Sequence, residues 1–312
     1  MSAPAANKAL HVAVLMGGPS AEREVSLVSG AACAEALREL GHRVTEVDVT
    51  RDIGAALSAL EPRPDVVFNA LHGRYGEDGC IQGLLEYLGI PYTHSGVLAS
   101  ALAMDKPVAR RLFMDAGLNC AEGRTARRDE VIEGRVMEPP FVVKPLNEGS
   151  SVGVHIVTEG DSLPPLSADW PYGDVVLVER YIPGREIHVA VMGDRALGAI
   201  EIRPQGQFYD YQAKYTEGMA EHLMPAPLPE DDYTEAMEVG RRAHATLGCR
   251  GVSRTDLRYD DTGPGAALFY VLEVNTQPGM TPLSLVPEIA AHAGIAFNDL
   301  VAWMVEDASC PR

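Results

Sequence analysis

Cysteine is scarce in this chain and follows no pattern. The five thiols, Cys33, Cys80, Cys120, Cys249 and Cys310, are odd in number, scattered and without metal-ligand spacing, which argues against a disulfide framework or a zinc module. They suit a reducing cytoplasm, as buried or incidental thiols. Long apolar runs are missing too. Residues Met1 to Lys8 hold no apolar core and no stretch of about 18 uncharged apolar residues occurs after them, so neither a signal peptide nor a membrane span is expected. Positive charge is short: 26 Lys and Arg face 44 Asp and Glu, a formal net charge of -18. Such a chain repels nucleic acid and anionic membrane at long range, so a polyphosphate ligand must meet a local basic cluster and a bound cation. Internal repeats and low-complexity tracts are absent.

What is present is a soluble globular composition, 46% hydrophobic and 22% charged over 312 residues, enough for two or three domains. The first hundred residues alternate apolar runs with helical patterns: His11 to Met16, a helix from about Ala21 to Leu40, Arg43 to Val49, Asp65 to Leu71, and a helix through Leu84 to Leu88. That alternation predicts a small parallel α/β domain. A helical stretch, Val97 to Ala116, and a Pro, Gly and charge-rich segment, Glu122 to Pro140, separate it from the remainder of the chain. From Phe141 short strands dominate (Phe141 to Lys144, Val152 to Val157, Val175 to Tyr181, Glu186 to Met192, Ala196 to Ile202), in outline mostly antiparallel sheet. Helices are expected around Glu235 to Leu247, Leu285 to Ala293 and Asn298 to Glu306.

Two strand-like runs, Gly251 to Tyr259 and the one that carries Glu273 to Met280, flank the turn formers Asp260 to Gly265 and read as a hairpin. If it is symmetric about its turn, Asp256 pairs with Glu273 and Arg254 with Asn275, so one face carries all four side chains. Two carboxylates and an amide oxygen are hard ligands suited to Mg²⁺. A solvated hairpin whose charges pair with one another is the other reading of that spacing.

Phe141 to Val154 reads as a strand, a glycine-serine loop and another strand. Small residues there let backbone N-H groups approach an anion that Lys144 can also reach. It is not a Walker loop, because the Gly-Lys-Ser/Thr order is missing and a strand comes next in place of a helix; an ordinary hairpin connection fits it equally. The apolar strand Val175 to Tyr181 and the loop after it could hold a base, with Glu179 and Glu186 as polar anchors.

These blocks, in this order and spacing, resemble the ATP-grasp enzymes, and within them the D-alanine-D-alanine ligases. Besides the loop Lys144 to Gly153, the strand around Glu179, Arg254-Thr255-Asp256 and Glu273-Val274-Asn275, the resemblance is carried by Gly17 to Ser26, Leu71 to Gly79, Met104-Asp105-Lys106, Tyr209 to Tyr215 and Asn275 to Thr281. Together they cover nearly the whole chain. The fold implied is an N-terminal parallel α/β domain, 1–100, on the first-substrate side, joined to two ATP-grasp α+β domains. The central one, 101–185, carries the phosphate loop and adenine strand. The C-terminal one, 186–312, carries the metal ligands, a lid loop and the second-substrate site.

The same resemblance implies roles. Lys106, Lys144 and Ser151 hold the ATP phosphates, Glu179 and Glu186 anchor the nucleoside, and Arg180 and Ile182 lie beside the base, although the family often has Lys where Arg180 stands. Asp256, Glu273 and Asn275 match the magnesium ligands, with Mn²⁺ an expected substitute. Glu22, two residues into a helix capped by Ser20, receives the ammonium of the first D-alanine; seen alone, its carboxylate reads as a partner of the helix dipole. His72 lies close to the first substrate's carboxylate. The polar stretch Gln207 to Met224 is the lid, with Lys214 near the γ-phosphate and Tyr215 facing the second substrate, where Tyr resembles enzymes making the dipeptide instead of a D-lactate ester. Ser150, Tyr215 and Glu22 form a hydrogen-bonded chain. Arg254 and the N-H of Gly279 are oxyanion donors, and Ser284 with the N-H of Leu285 reads the second D-alanine's carboxylate at a helix start.

The implied activity is ATP-dependent joining of two D-alanines through an acyl phosphate, for peptidoglycan precursor synthesis, by a cytoplasmic homodimer with no nucleic-acid or membrane partner. Another carboxylate-amine ligase on the same scaffold, or a non-catalytic nucleotide-binding protein, are the alternatives.

Overall fold

The structure, a computed structural model, describes residues 9–149, 152–161, 166, 170–204, 219–263, 265 and 267–312. The first element, β1 (His11–Gly17), is buried at every position, and its side chains alternate between two cores as a strand's must. Val12, Val14 and Met16 pack among Cys33 and Leu37 on one side, and Ala13 and Leu15 among Val47, Leu60 and Leu85 on the other. Around it lie α1 (Arg23–Glu39), β2 (Arg43–Val49), α2 (Ile53–Ala59), β3 (Val66–Asn69) and α3 (Cys80–Leu88). The three strands form a parallel sheet in the order β2-β1-β3, with both faces covered as parallel sheets require.

The single helical stretch expected over Val97 to Ala116 is two helices, α4 (Val97–Met104) and α5 (Lys106–Asp115). Asp105 breaks it: its carboxylate accepts the Val108 N-H at 3.1 Å, and Pro107 stands in the first turn, a start signal for a new helix. The break places Lys106 at the head of α5. The segment Glu122 to Pro140 is likewise more than a separator. It holds β4 (Gly123–Arg127) and α6 (Arg128–Ile132), and β4 runs along β7 from Gly123 opposite Glu179 to Arg127 opposite Val175. Its polar composition is that of a solvated edge strand. With β5 (Phe141–Pro145), β6 (His155–Val157) and β7 (Val175–Arg180) it makes a four-stranded antiparallel sheet, β4-β7-β5-β6.

The third sheet comprises β8 (Arg185–Met192), β9 (Arg195–Pro204), β10 (Ala220–Leu223), β11 (Val252–Asp260) and β12 (Leu268–Asn275), ordered β10-β9-β8-β11-β12 and antiparallel throughout. The strand β10 was not expected; it ends the polar stretch Gln207 to Met224 by pairing with β9, while 207–218 lie outside the described residues. Helix α7 (Glu230–Thr246) starts earlier than the expected Glu235, after Pro229, with three acidic residues in its first turn. It packs with α4 and α5 on the face made by Ile187, Val189 and Leu257. The opposite face, with Ala190 and Val252, meets α8 (Leu285–His292), α9 (Phe297–Asp307) and the β1 core. Glu186, His188, Arg254 and Asp256 share the side of Ala190 and Val252, because each is an even number of residues away. No described helix is long and apolar enough to cross a membrane.

Candidate active site

The β11-β12 register pairs Arg254 with Asn275 and Asp256 with Glu273, as symmetry about the turn predicts. One residue further the register shifts and Leu257 faces Val271, so the bulge falls just beyond the pairs that matter. Arg254 grips Asp256 with two bonds, Nε to Oδ1 at 2.6 Å and Nη2 to Oδ2 at 2.8 Å, and His188 Nδ1 lies 2.8 Å from Oδ1. Burial alone would push the Asp256 carboxyl up, but Arg254 and then His188 outweigh it and hold it far below the usual carboxylate range. His188 is shifted the other way: burial would lower it, and Asp256 together with Glu186 raises it above the ordinary value.

Glu273 lies 3.3 Å from Lys106 Nζ, and Asn275 Oδ1 accepts the Gln277 N-H at 2.8 Å. Among the described residues no cluster of three His, Cys, Asp or Glu side chains could hold a metal ion. The donor set is two carboxylates that face each other across the hairpin and an amide, all hard oxygens. It therefore fits Mg²⁺, which takes its other ligands from water and phosphate.

A cleft lies between the second and third sheets, with Lys144, Glu179, Arg180, Ile182, Glu186 and Asp256 on its walls. Apolar side chains, Val142, Val154, Ile156 and Leu272 among them, line it beside the further charged residues Lys106, Glu148, Arg258 and Glu273. Glu179 is buried and held between two cations, Lys144 Nζ at 2.6 Å and Arg110 Nε at 2.6 Å. Arg110 belongs to none of the sequence blocks; its one signal is its place a helical turn after Lys106 on α5. Arg180 is half-exposed, 3.5 Å from Glu122. The Ile182 carbonyl accepts the Arg258 Nε-H at 3.1 Å, and Glu186 Oε1 lies 3.2 Å from His188 Nε2.

A second cleft is lined by Glu22, His72, Glu77, Arg254, Gly279, Ser284 and Leu285. Glu22 is the N-cap of α1 rather than a residue two positions inside it. Ser20, not itself the cap, accepts the Glu22 N-H at 3.2 Å and donates to the His72 carbonyl at 2.7 Å, which ties the Gly17 to Ser20 turn to the His72 loop. Gly73 is required there: its φ is +67° and a Cβ would stand 2.7 Å from Glu22 Oε2. His72 is buried with Nδ1 3.1 Å from the Gln277 carbonyl and Nε2 3.2 Å from Ser29 Oγ. Burial lowers its pKa against the pull of Glu22, and its side chain lines the cleft. Ser284 is the N-cap of α8, yet its hydroxyl accepts the Thr281 N-H at 2.9 Å and does not cap the first turn. The N-H groups at that helix start therefore remain available to an anion. A Cβ on Gly279 would sit 2.7 Å from Ser284 Oγ.

The two clefts share a wall of Lys106, Glu148 and Glu273. Lys106 Nζ donates to the Glu148 carbonyl at 2.5 Å, so the loop after β5 and the hairpin face meet at one ammonium. Of the site residues expected from sequence, Ser150, Ser151, Lys214 and Tyr215 lie outside the described residues. The remaining ones all border one cleft or the other, apart from Ser20, which supports Glu22.

The D-ala D-ala ligase C-terminus family model matches residues 112–306, and the D-ala D-ala ligase N-terminus model matches 53–95. The chain is 59% identical over 309 residues to the D-alanine-D-alanine ligase of Parvibaculum lavamentivorans, covering 98% of this chain and 100% of that one. The chain belongs to the D-alanine-D-alanine ligase family. A second family member, from Methylocella silvestris, is 61% identical over 306 residues, 97% of this chain and 99% of its own. Among solved structures, the D-alanine-D-alanine ligase of Bacillus anthracis complexed with ATP superposes with a TM-score of 0.80 at 31% identity, covering 96% of this chain and 97% of that one. The VanG D-Ala:D-Ser ligase of Enterococcus faecalis superposes at 0.78 and 28% identity, covering 96% and 99%. The ATP-grasp fold of these ligases is the fold of this chain.

Proposed function

We infer that this chain joins two D-alanines into D-alanyl-D-alanine at the expense of ATP, which becomes ADP and phosphate, in the synthesis of a peptidoglycan precursor. The observation that carries this reading is the shared wall. A carboxylate bound beside Glu22 would sit across Lys106, Glu148 and Glu273 from the phosphate end of a nucleotide, as transfer of a phosphoryl group to a carboxylate requires.

Glu22 receives the ammonium of the first D-alanine, and Lys106 and Lys144 take the phosphates, joined by Ser151 and Lys214. Glu179, Arg180, Ile182 and Glu186 receive the nucleoside. Asp256, Glu273 and Asn275 would hold Mg²⁺, or Mn²⁺ in its stead, and the cation would neutralise phosphate oxygens there. The first carboxylate attacks the terminal phosphorus and ADP departs. The second D-alanine's amine then attacks the acyl carbon, losing a proton through Tyr215 and Ser150, and phosphate leaves. Arg254 and the Gly279 N-H stabilise the oxyanion formed on the way, while Ser284 and the Leu285 N-H receive the second carboxylate, with His72 walling the cleft. Three domains, 1–100, 101–185 and 186–312, fit one sheet each to within a residue. A cytoplasmic homodimer is the assembly the family resemblance suggests.

The test is phosphate release from Mg-ATP with D-alanine, L-alanine or no amino acid, with the product identified by mass. Turnover with D-alanine alone, giving the dipeptide, is expected; its absence would overturn the reading. Adding D-serine or D-lactate beside D-alanine decides the acceptor, which differs in the VanG relative.

A further inference from the structure

His188 is fully buried on β8, directly opposite Asp256 on β11 and two residues after Glu186 on the same face of the strand. Its rigid ring therefore lies in the corner between those two carboxylates, with Nδ1 2.8 Å from Asp256 Oδ1 and Nε2 3.2 Å from Glu186 Oε1. Both carboxylates border the nucleotide cleft. A buried polar ring costs stability unless its nitrogens are engaged, and an apolar side chain would fill this place between β8 and β11 more cheaply, as Val189 and Val191 do on the other face. Arginine reaches each carboxylate as well, Arg254 on Asp256 and Arg258 Nη1 at 3.8 Å from Glu186. Neither of those pairs spans from one carboxylate to the other. The imidazole does.

We propose that His188 is a positioning residue that fixes the separation and orientation of Glu186 and Asp256, and so couples nucleotide binding to cation binding across the cleft. The proposal rests on the roles given above to Glu186 as a nucleoside anchor and Asp256 as a cation ligand. Movement of either carboxylate on binding is passed through the ring to the other, and a coupling between two sites acts equally in both directions.

The test compares wild type, His188→Leu and His188→Gln. The dissociation constant of ADP is measured by calorimetry in EDTA and at saturating Mg²⁺, with melting temperatures alongside. Association of Mg²⁺ with ADP in water is the same for all three proteins, so a change in the ratio of the two constants reports the protein alone. In His188→Leu the tightening of ADP by Mg²⁺ is expected to shrink at least about fivefold, the lower end of ordinary coupling between sites. His188→Gln, which retains a donor for one carboxylate, is expected to fall between and decides the matter if the leucine variant does not fold. A ratio unchanged in both folded variants, whatever happens to the melting temperature, would make His188 a packing residue and overturn the proposal. If Mg²⁺ fails to tighten ADP even in wild type, the roles of Asp256 and Glu186 fall first and the coupling with them.

Discussion

Asp256 and Glu77 are both buried carboxyls, one in each of the two adjoining clefts, and their acidities move in opposite directions. Burial raises Glu77, Glu22 beside it raises it further, and it stands well above the ordinary glutamate range. One of its oxygens accepts the Gly73 N-H at 3.1 Å, and the other has no hydrogen-bond partner among the described residues. Burial acts on Asp256 in the same sense, but Arg254 and His188 reverse it. The difference shows how the chain handles charge. In the first cleft two buried carboxylates come with cations from their own scaffold: Arg110 and Lys144 for Glu179, Arg254 and His188 for Asp256. In the second cleft Glu22 lies close enough to Glu77 to raise it, a negative field that suits an ammonium group.

The largest break in this contrast is Asp256→Asn. It leaves the shape of the side chain but removes the charge that Arg254 and His188 surround. Turnover, read as phosphate release, is expected to fall by more than the roughly 10- to 100-fold that changing a supporting partner of a metal ligand costs, with the circular dichroism spectrum unchanged. Wild-type rates would remove Asp256 from the site. Next in size is Glu179→Leu, which leaves Arg110, only 6% exposed, without its buried counter-charge. Breaking such a pair from one side costs about 3–5 kcal/mol, measurable as a lower urea midpoint. The double variant with Arg110→Leu is expected to recover most of that loss. Simple addition of the two losses would show that Arg110 and Glu179 do not act as a unit.

Much of this site is legible in the sequence alone. The Asp256, Glu273 and Asn275 face comes from the period of two in a strand and from symmetry about Asp260 to Gly265, and the bulge after Asp256 falls where it does no harm. The ligase reading rests on blocks spread from Gly17 to Thr281, each meaningful only beside the others. What escapes has identifiable causes. Pro107 marks a helix start inside a stretch whose pattern is that of one helix, and β4 is hidden because a solvated edge strand has the composition of a linker. The roles of Arg110, His188 and Glu77 escape for a different reason. Their meaning lies in contacts between residues dozens of positions apart, and those depend on strand order, above all on β8 lying beside β11, which local pattern does not reveal.

Glu77→Gln makes the smallest and sharpest test. In the unfolded chain this carboxyl titrates near 4.5, whereas in the fold its pKa lies well above that. Between the two values the folded protein binds more protons than the unfolded one, so the Glu77 contribution is fully present below pH 4.5 and is lost as pH rises through the folded pKa. Glutamine keeps an acceptor for the Gly73 N-H and does not titrate. The variant should therefore gain stability relative to wild type as pH increases, and the gap between their urea midpoints should be wider at about pH 8 than at about pH 5. His72, lowered by burial, works in the opposite sense, losing its contribution as pH falls below its ordinary 6.5, but it is common to both proteins and largely cancels in the difference. A gap that stays constant with pH would mean that Glu77 is ionised in the fold as Asp256 is, and the two clefts would then treat buried carboxyls alike.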